Sequence, residues 1–214
     1  MRKLRLLTTS SGERESGMSL IEVVVAIGIL GILSTVSLGF YMTSMESASA
    51  HQRRELAITV ANESMEIIQG WNSNVISATT VSALLTGRNQ ALVQAQWLAA
   101  PAVSGLAQSY PTWDPTATAS ATQAVPLART VTRSGTEFTS HVYIGKCFKA
   151  ITSGQCTKLA AFPSTPPATA PAGTTGMLRV VVVVRWTAGC DSGCSYETST
   201  LIDSSTDLEW NTSG

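Results

Sequence analysis

The sequence predicts an α+β protein: a long hydrophobic N-terminal helix whose C-terminal half packs on an antiparallel β-sheet head. Three observations carry that reading. From Leu20 to Met42 the chain is apolar apart from small hydroxyls and one charged side chain, Glu22. From Thr43 to Gln69 there is no proline or glycine, and apolar residues recur at helical spacing. From Leu127 onward the apolar period falls to two, the spacing of strands.

The helix comes first. About twenty apolar residues span a bilayer core, so residues 18–42 are long enough to cross one. A charge in such a run costs roughly 2.5 kcal/mol or more and is retained for a function. Glu22 therefore needs a partner. If the chain is cut after Gly17, the new α-amine of Met18 is a cation that pairs with Glu22 of a neighbouring subunit. Beyond the apolar run, Leu56, Val60, Ser64 and Ile67 form one row, with Ala57, Ala61 and Ile68 beside it. Glu46, Arg53, Arg54, Glu55, Glu63 and Glu66 mostly take the other side. Gly70 is placed to end the helix as its C′ residue.

The same residues carry a resemblance. A basic leader (Arg2, Lys3, Arg5, Arg14), Gly17, and then Ser19-Leu20-Ile21-Glu22 opening an apolar helix resemble the prepilin leader of type IV pilins and type II secretion pseudopilins. The resemblance implies cleavage between Gly17 and Met18 by a membrane prepilin peptidase, N-methylation of Met18, and Glu22 as the residue that sets filament registry. It also implies other pilin subunits and an assembly platform as partners, and a filament at or beyond the cell surface. Family members more often have Phe where this chain has Met18. Leader bases stay cytoplasmic by the positive-inside rule, which places the rest of the chain outside. Two plainer readings explain less. Ala48-Ser49-Ala50 would suit a signal-peptidase site, but the apolar run exceeds the usual 7–15 residues. A simple anchor accounts for the length and for neither Glu22 nor Gly17.

The expected organisation is a leader at 1–17, the helix at 18–70, a variable connecting region at 71–126 and a sheet head at 127–214. The connecting region is rich in Ala, Ser and Thr, with turn signals at Gly87, Pro101, Gly105, Pro111 and Pro115 and short helical patterns at Val81–Leu85 and Gln90–Leu98. In the head, Ala128–Arg133 and Glu137–Phe148 flank Ser134-Gly135 and read as a hairpin. Phe138, Val142 and Ile144 share one face of its second strand, with Tyr143 opposite. Pro163 to Gly176 reads as a loop, Met177–Thr187 as a strand, and Ser195 to Asp203 as a last strand. Five consecutive valines, Val180 to Val184, suit a strand covered on both faces or one meeting a neighbour in a filament. This order resembles PilV-type minor pilins and I-type pseudopilins.

Chemistry is sparse. The four cysteines allow three pairings. The local one, Cys147 with Cys156 and Cys190 with Cys194, is favoured because Cys190 and Cys194 flank a Gly-containing turn in an oxidising compartment. Zinc would want closer thiolate spacing. His51 and His141 stand in no metal or nucleophile motif, so neither an enzyme nor a cofactor is expected. The chain has 14 basic and 14 acidic residues; the leader holds four and two of these, leaving 10 against 12. That balance gives nucleic-acid binding no support. Between Arg129 and Arg185 there are seven bases and one acid, Glu137, and the residues beyond are acidic only. Facing strands would offset these charges. The alternative is a tip module for adhesion or DNA uptake, binding through Arg129, Arg133, Lys146 and Lys149.

Overall fold

Helix α1 spans Leu20–Asn72 without a break. The computed structural model describes residues 18–72, 83–103, 105–152, 154–159, 166–167 and 169–203. It divides into two units between Ser49 and Ala50. The first consists of the apolar part of α1. The second holds the rest of α1, helix α2 (Gln90–Leu98) and strands β1 (Tyr110–Pro111), β2 (Ala128–Arg133), β3 (Thr136–Ala150), β4 (Cys156–Thr157), β5 (Thr174–Trp186) and β6 (Cys194–Asp203). The arrangement is α+β: helix against antiparallel sheet.

The sheet is built on β3. Along one edge β3 pairs with β5 over twelve residue pairs, and β5 pairs in turn with β6 over ten. The hairpin turn between β2 and β3 is Ser134-Gly135, both at positive φ (47° and 75°), which matches the right-handed twist of the strands it joins. Along the other edge of β3 the cover is pieced together from β2, β1 and β4, all antiparallel. Between β2 and β1 the pairing is completed atom by atom. Val142 N–H donates to the Leu127 carbonyl (2.9 Å), and Thr112 donates to the Ile144 carbonyl through both N–H (3.2 Å) and hydroxyl (2.8 Å). The remaining acceptor, the Val142 carbonyl, takes a hydrogen bond from the Arg88 guanidinium at 2.7 Å. Arg88 thus fills the place of a missing strand residue.

The five valines are covered on both faces, and period-two alternation explains how. Val180, Val182 and Val184 lie in the core with Phe138, Val142, Ile144 and Trp186, and the buried stripe of α1 closes it. Val181 and Val183 face the other way, onto Tyr143, Val103 and Leu106, with Trp97 set edge-on to Tyr143 at 5.7 Å. Full burial of one such side chain contributes roughly 1.5–3 kcal/mol. The connecting region therefore serves both faces: Leu84 and Val125 join the helix-side core, and Val103 and Leu106 the opposite one. Trp97 approaches β3 so closely that a Cβ on Gly145 would lie 2.7 Å from its ring. Only glycine leaves that space.

Some expectations need correcting. The buried stripe of α1 is Ala57, Val60, Ala61, Ser64, Met65 and Ile68, whereas Ile67 is exposed and Leu56 only half-buried. The contact centres on the row that was expected beside the main one. Ser64 is accommodated because its hydroxyl meets that of Ser140 at 2.7 Å. Helix α1 does not stop at Gly70 but runs on to Asn72, since an interior glycine weakens a helix by only about 1 kcal/mol. Strand β5 begins at Thr174, inside the expected loop, because Thr174 and Thr175 still have partners in Ala150 and Lys149. Of the expected helical piece at Val81–Leu85, residues 83–85 are helical and the first two lie outside the described residues.

Candidate assembly site at the N-terminus of the long helix

Met18 and Ser19 precede α1, and the helix opens as its sequence dictates. Ser19 is a good N-cap residue, and its carbonyl accepts from the N–H groups of Glu22 (2.9 Å) and Val23 (3.2 Å). Glu22 falls in the first turn, where the positive end of the helix dipole favours a carboxylate. Gly17, the residue expected before the cut, lies outside the described residues. Met18 is 76 % exposed.

From Leu20 to Met45 the large apolar side chains are all exposed. The helix is long and apolar enough to cross a membrane, and its most apolar stretch buries nothing in the structure. Three of its hydroxyls are spent on their own helix, which suits that medium. Ser34 donates to the Leu30 carbonyl (2.7 Å), Thr35 to Ile32 (2.8 Å) and Thr43 to Gly39 (3.0 Å). A carboxylate cannot donate to a carbonyl in this way; what the helix offers Glu22 is the free N–H groups and the positive dipole end of its first turn.

The other candidates have local explanations. Arg129 and Arg133 project from β2 onto the α1 side and share Glu63, at 3.7 and 2.8 Å. Lys146 donates to the Pro167 carbonyl (3.1 Å) and lies over the Phe148 ring at 5.3 Å. Three of the four bases of the tip-module reading are thus engaged within the chain, and Lys149 stands apart. The charge offset comes from α1 rather than from facing strands: opposite Arg185 stand Thr139 and Ser195, and opposite Arg179 stand Gly145 and Leu201. His51 is exposed on α1. Burial first, and then Arg185, hold His141 below the usual imidazole range, so it is neutral at pH 7.

Among the described residues no group of three or more His, Cys, Asp or Glu is placed to hold a metal ion. The cysteines sit as two pairs at disulfide distance. Cys147 and Cys156 have Cα atoms 5.4 Å apart where β3 meets β4, and Cys190 and Cys194 have theirs 5.7 Å apart across the β5–β6 turn. Non-reducing peptide mapping is expected to return these two local links. A peptide joining residue 147 or 156 to residue 190 or 194 would rule the pairing out.

One residue escaped the sequence reading. Arg88 is fully buried, donating to the Val125 (3.0 Å) and Val142 (2.7 Å) carbonyls while its Nε has no partner. Burial lowers its pKa to about 10, so it stays charged. Its one signal in sequence is that it is the sole base between Arg54 and Arg129.

An uncovered apolar helix with an acid in its first turn, leading into an α+β head, fits a membrane-anchored precursor of the type IV pilin-like class. Residues 13–38 match the family model of the prokaryotic N-terminal methylation motif, which supports that class and processing by a prepilin peptidase. The match takes in Gly17, Met18 and Glu22 and ends within α1. No curated protein and no solved structure matches the chain.

Proposed function

We propose that this chain is a structural subunit, a minor pilin or a pseudopilin, of a type IV filament machine. The observation that carries the reading is the methylation motif running without interruption into an uncovered apolar helix, with Glu22 in its first turn. In this reading the peptidase cuts after Gly17 and Met18 receives a methyl group. The helix holds the subunit in the membrane until an assembly platform moves it into the filament. There Glu22 meets the Met18 amine of a neighbour. The work is mechanical: a charge that finds its partner in one register penalises all others, because a buried charge left unpaired costs several kcal/mol.

The direct test is the N-terminus of the membrane-bound protein, by intact mass and N-terminal sequencing. The expected chain starts at Met18 and carries one added methyl group. A start at His51 would replace this reading with ordinary secretion, and a retained leader would replace it with a simple anchor.

A further inference from the structure

The two sides of the sheet are finished differently. The side of β3 away from β5 is covered by three short strands, Thr112 and Arg88, whereas β6 ends the sheet on the other side and pairs among the described residues with β5 alone. The direction of its backbone groups follows from the register. Val142 and Ile144 turn theirs toward Leu127, Arg88 and Thr112, so in an antiparallel ladder the odd-numbered residues of β3 are the ones bonded to β5. These oppose Val181 and Val183, which leaves Val180, Val182 and Val184 to bond β6 through Thr200, Thr198 and Tyr196. The N–H and C=O groups of Ser195, Glu197, Ser199 and Leu201 therefore point away from the sheet. None of them has a hydrogen-bond partner among the described residues.

An open edge is a template for another strand, and chains ordinarily blunt one with proline, lysine or a bulge. Strand β6 has none of these. Cys194–Asp203 contains no Pro, Lys or Arg, and its ten residues pair with β5 without a break. Between its first and last residues Glu197 is the one charge. Its two faces differ. Tyr196, Thr198 and Thr200 are half-buried on the α1 side, whereas Ser195, Glu197, Ser199 and Leu201 are exposed on the other.

We propose that the free edge of β6 docks an extended segment of another protein as an added strand, antiparallel like the others in the sheet. The backbone of that segment meets the outward groups of Ser195, Glu197, Ser199 and Leu201, and its side chains give the selectivity. Apolar or β-branched residues lie opposite Tyr196, Thr198 and Thr200, and a Lys or Arg lies opposite Glu197. A second copy of this chain does not fit. Pairing β6 with β6 reverses the head portion of one α1 relative to the other. Pairing β6 with β2 carries four strand-to-strand steps of twist into the next copy, a turn of about 80–100°. Neither arrangement suits two chains anchored in one membrane. That exclusion rests on the membrane placement proposed above; the open edge itself does not.

The test uses the full chain in detergent and a synthetic probe, the peptide Thr-Val-Lys-Val-Thr-Val-Lys-Val, whose valines take one face and whose threonines and lysines take the other. Residue-resolved amide exchange at Ser195, Glu197, Ser199 and Leu201 is expected to slow at least about tenfold when the peptide is added. The same peptide with glutamate in place of lysine is expected to bind at least about threefold more weakly. Ser199→Pro removes one outward N–H and leaves the ladder to β5 intact, so it is expected to keep the melting temperature and lose the slowing. N-methylating the peptide at its threonines and lysines blocks docking without touching the protein, and decides the matter should the proline variant not fold. No slowing at millimolar peptide overturns the proposal. So does slowing that survives either modification, equal binding of the two peptides, or the same four amides slowed by self-association without peptide. The N-terminus of the same sample scores the filament-subunit reading separately.

Discussion

Glu22→Ala is expected to insert in the membrane and lose its leader normally, yet to be depleted at least about tenfold from sheared filaments relative to membranes. The argument is thermodynamic. As a monomer, Glu22 sits in the first turn of α1, close enough to the helix start for its carboxylate to stay near the headgroups. In the proposed assembly the same carboxylate would face an amine in apolar surroundings, where removing one partner of an ion pair costs roughly 3–5 kcal/mol. A loss of only 1.4 kcal/mol is already tenfold, so even a partly hydrated pair predicts a measurable deficit. Glu22→Gln, which keeps the shape and loses the charge, should fall with the alanine variant. Wild-type filament-to-membrane ratios for both, with processing intact, would remove Glu22 from any registry role.

The second large effect lies in the head. Arg88→Ala is expected to destabilise it by about 2–5 kcal/mol, because two buried carbonyls lose their donors at once. Two carbonyls, Val125 and Val142, would lose donors, and each buried acceptor left unsatisfied costs about 1–3 kcal/mol. The emptied volume adds to this. Against it stands the relief of a buried cation with no carboxylate beside it among the described residues, which burial has already penalised enough to lower its pKa. Arg88→Met separates the terms, because it fills the space and removes the charge while leaving the carbonyls unmet. Its cost should be smaller than that of alanine. Urea unfolding of the two variants checks the order. If alanine costs under about 1 kcal/mol, the guanidinium is not the piece that completes the β3 edge.

What sequence could reveal here was whatever repeats locally. The apolar run and its lone Glu22 were readable because both are patterns of neighbours. So were β2, β3 and β6, from alternation over six to fifteen residues, and β5, from its run of β-branched valines. The Ser134-Gly135 turn was readable because few residues accept positive φ. Strands β1 and β4 were not, since two residues show no period. The partner of Arg129 and Arg133 was misplaced for a related reason. Composition pointed to the acids after Arg185, but the face on which β2 presents its arginines turns them toward Glu63, some seventy residues earlier. Arg88 was invisible because its purpose exists only where three segments distant in sequence meet.

The five valines of β5 have a consequence for how this molecule changes surroundings. Both layers that cover them are built from residues at or beyond Leu56. The cohesion of the head is therefore an account closed within itself. The side chains from Leu20 to Met45 enter no term of it, and their free energy depends on the medium alone, acyl chains or neighbouring helices. Moving between those media is a partition equilibrium, and lipid is as apolar as leucine, so transferring the apolar side chains is nearly neutral. A nearly neutral transfer can be run in either direction by small inputs. In the proposed filament role, insertion and return then need no unfolding of the head, only a change of solvent around the apolar part of α1.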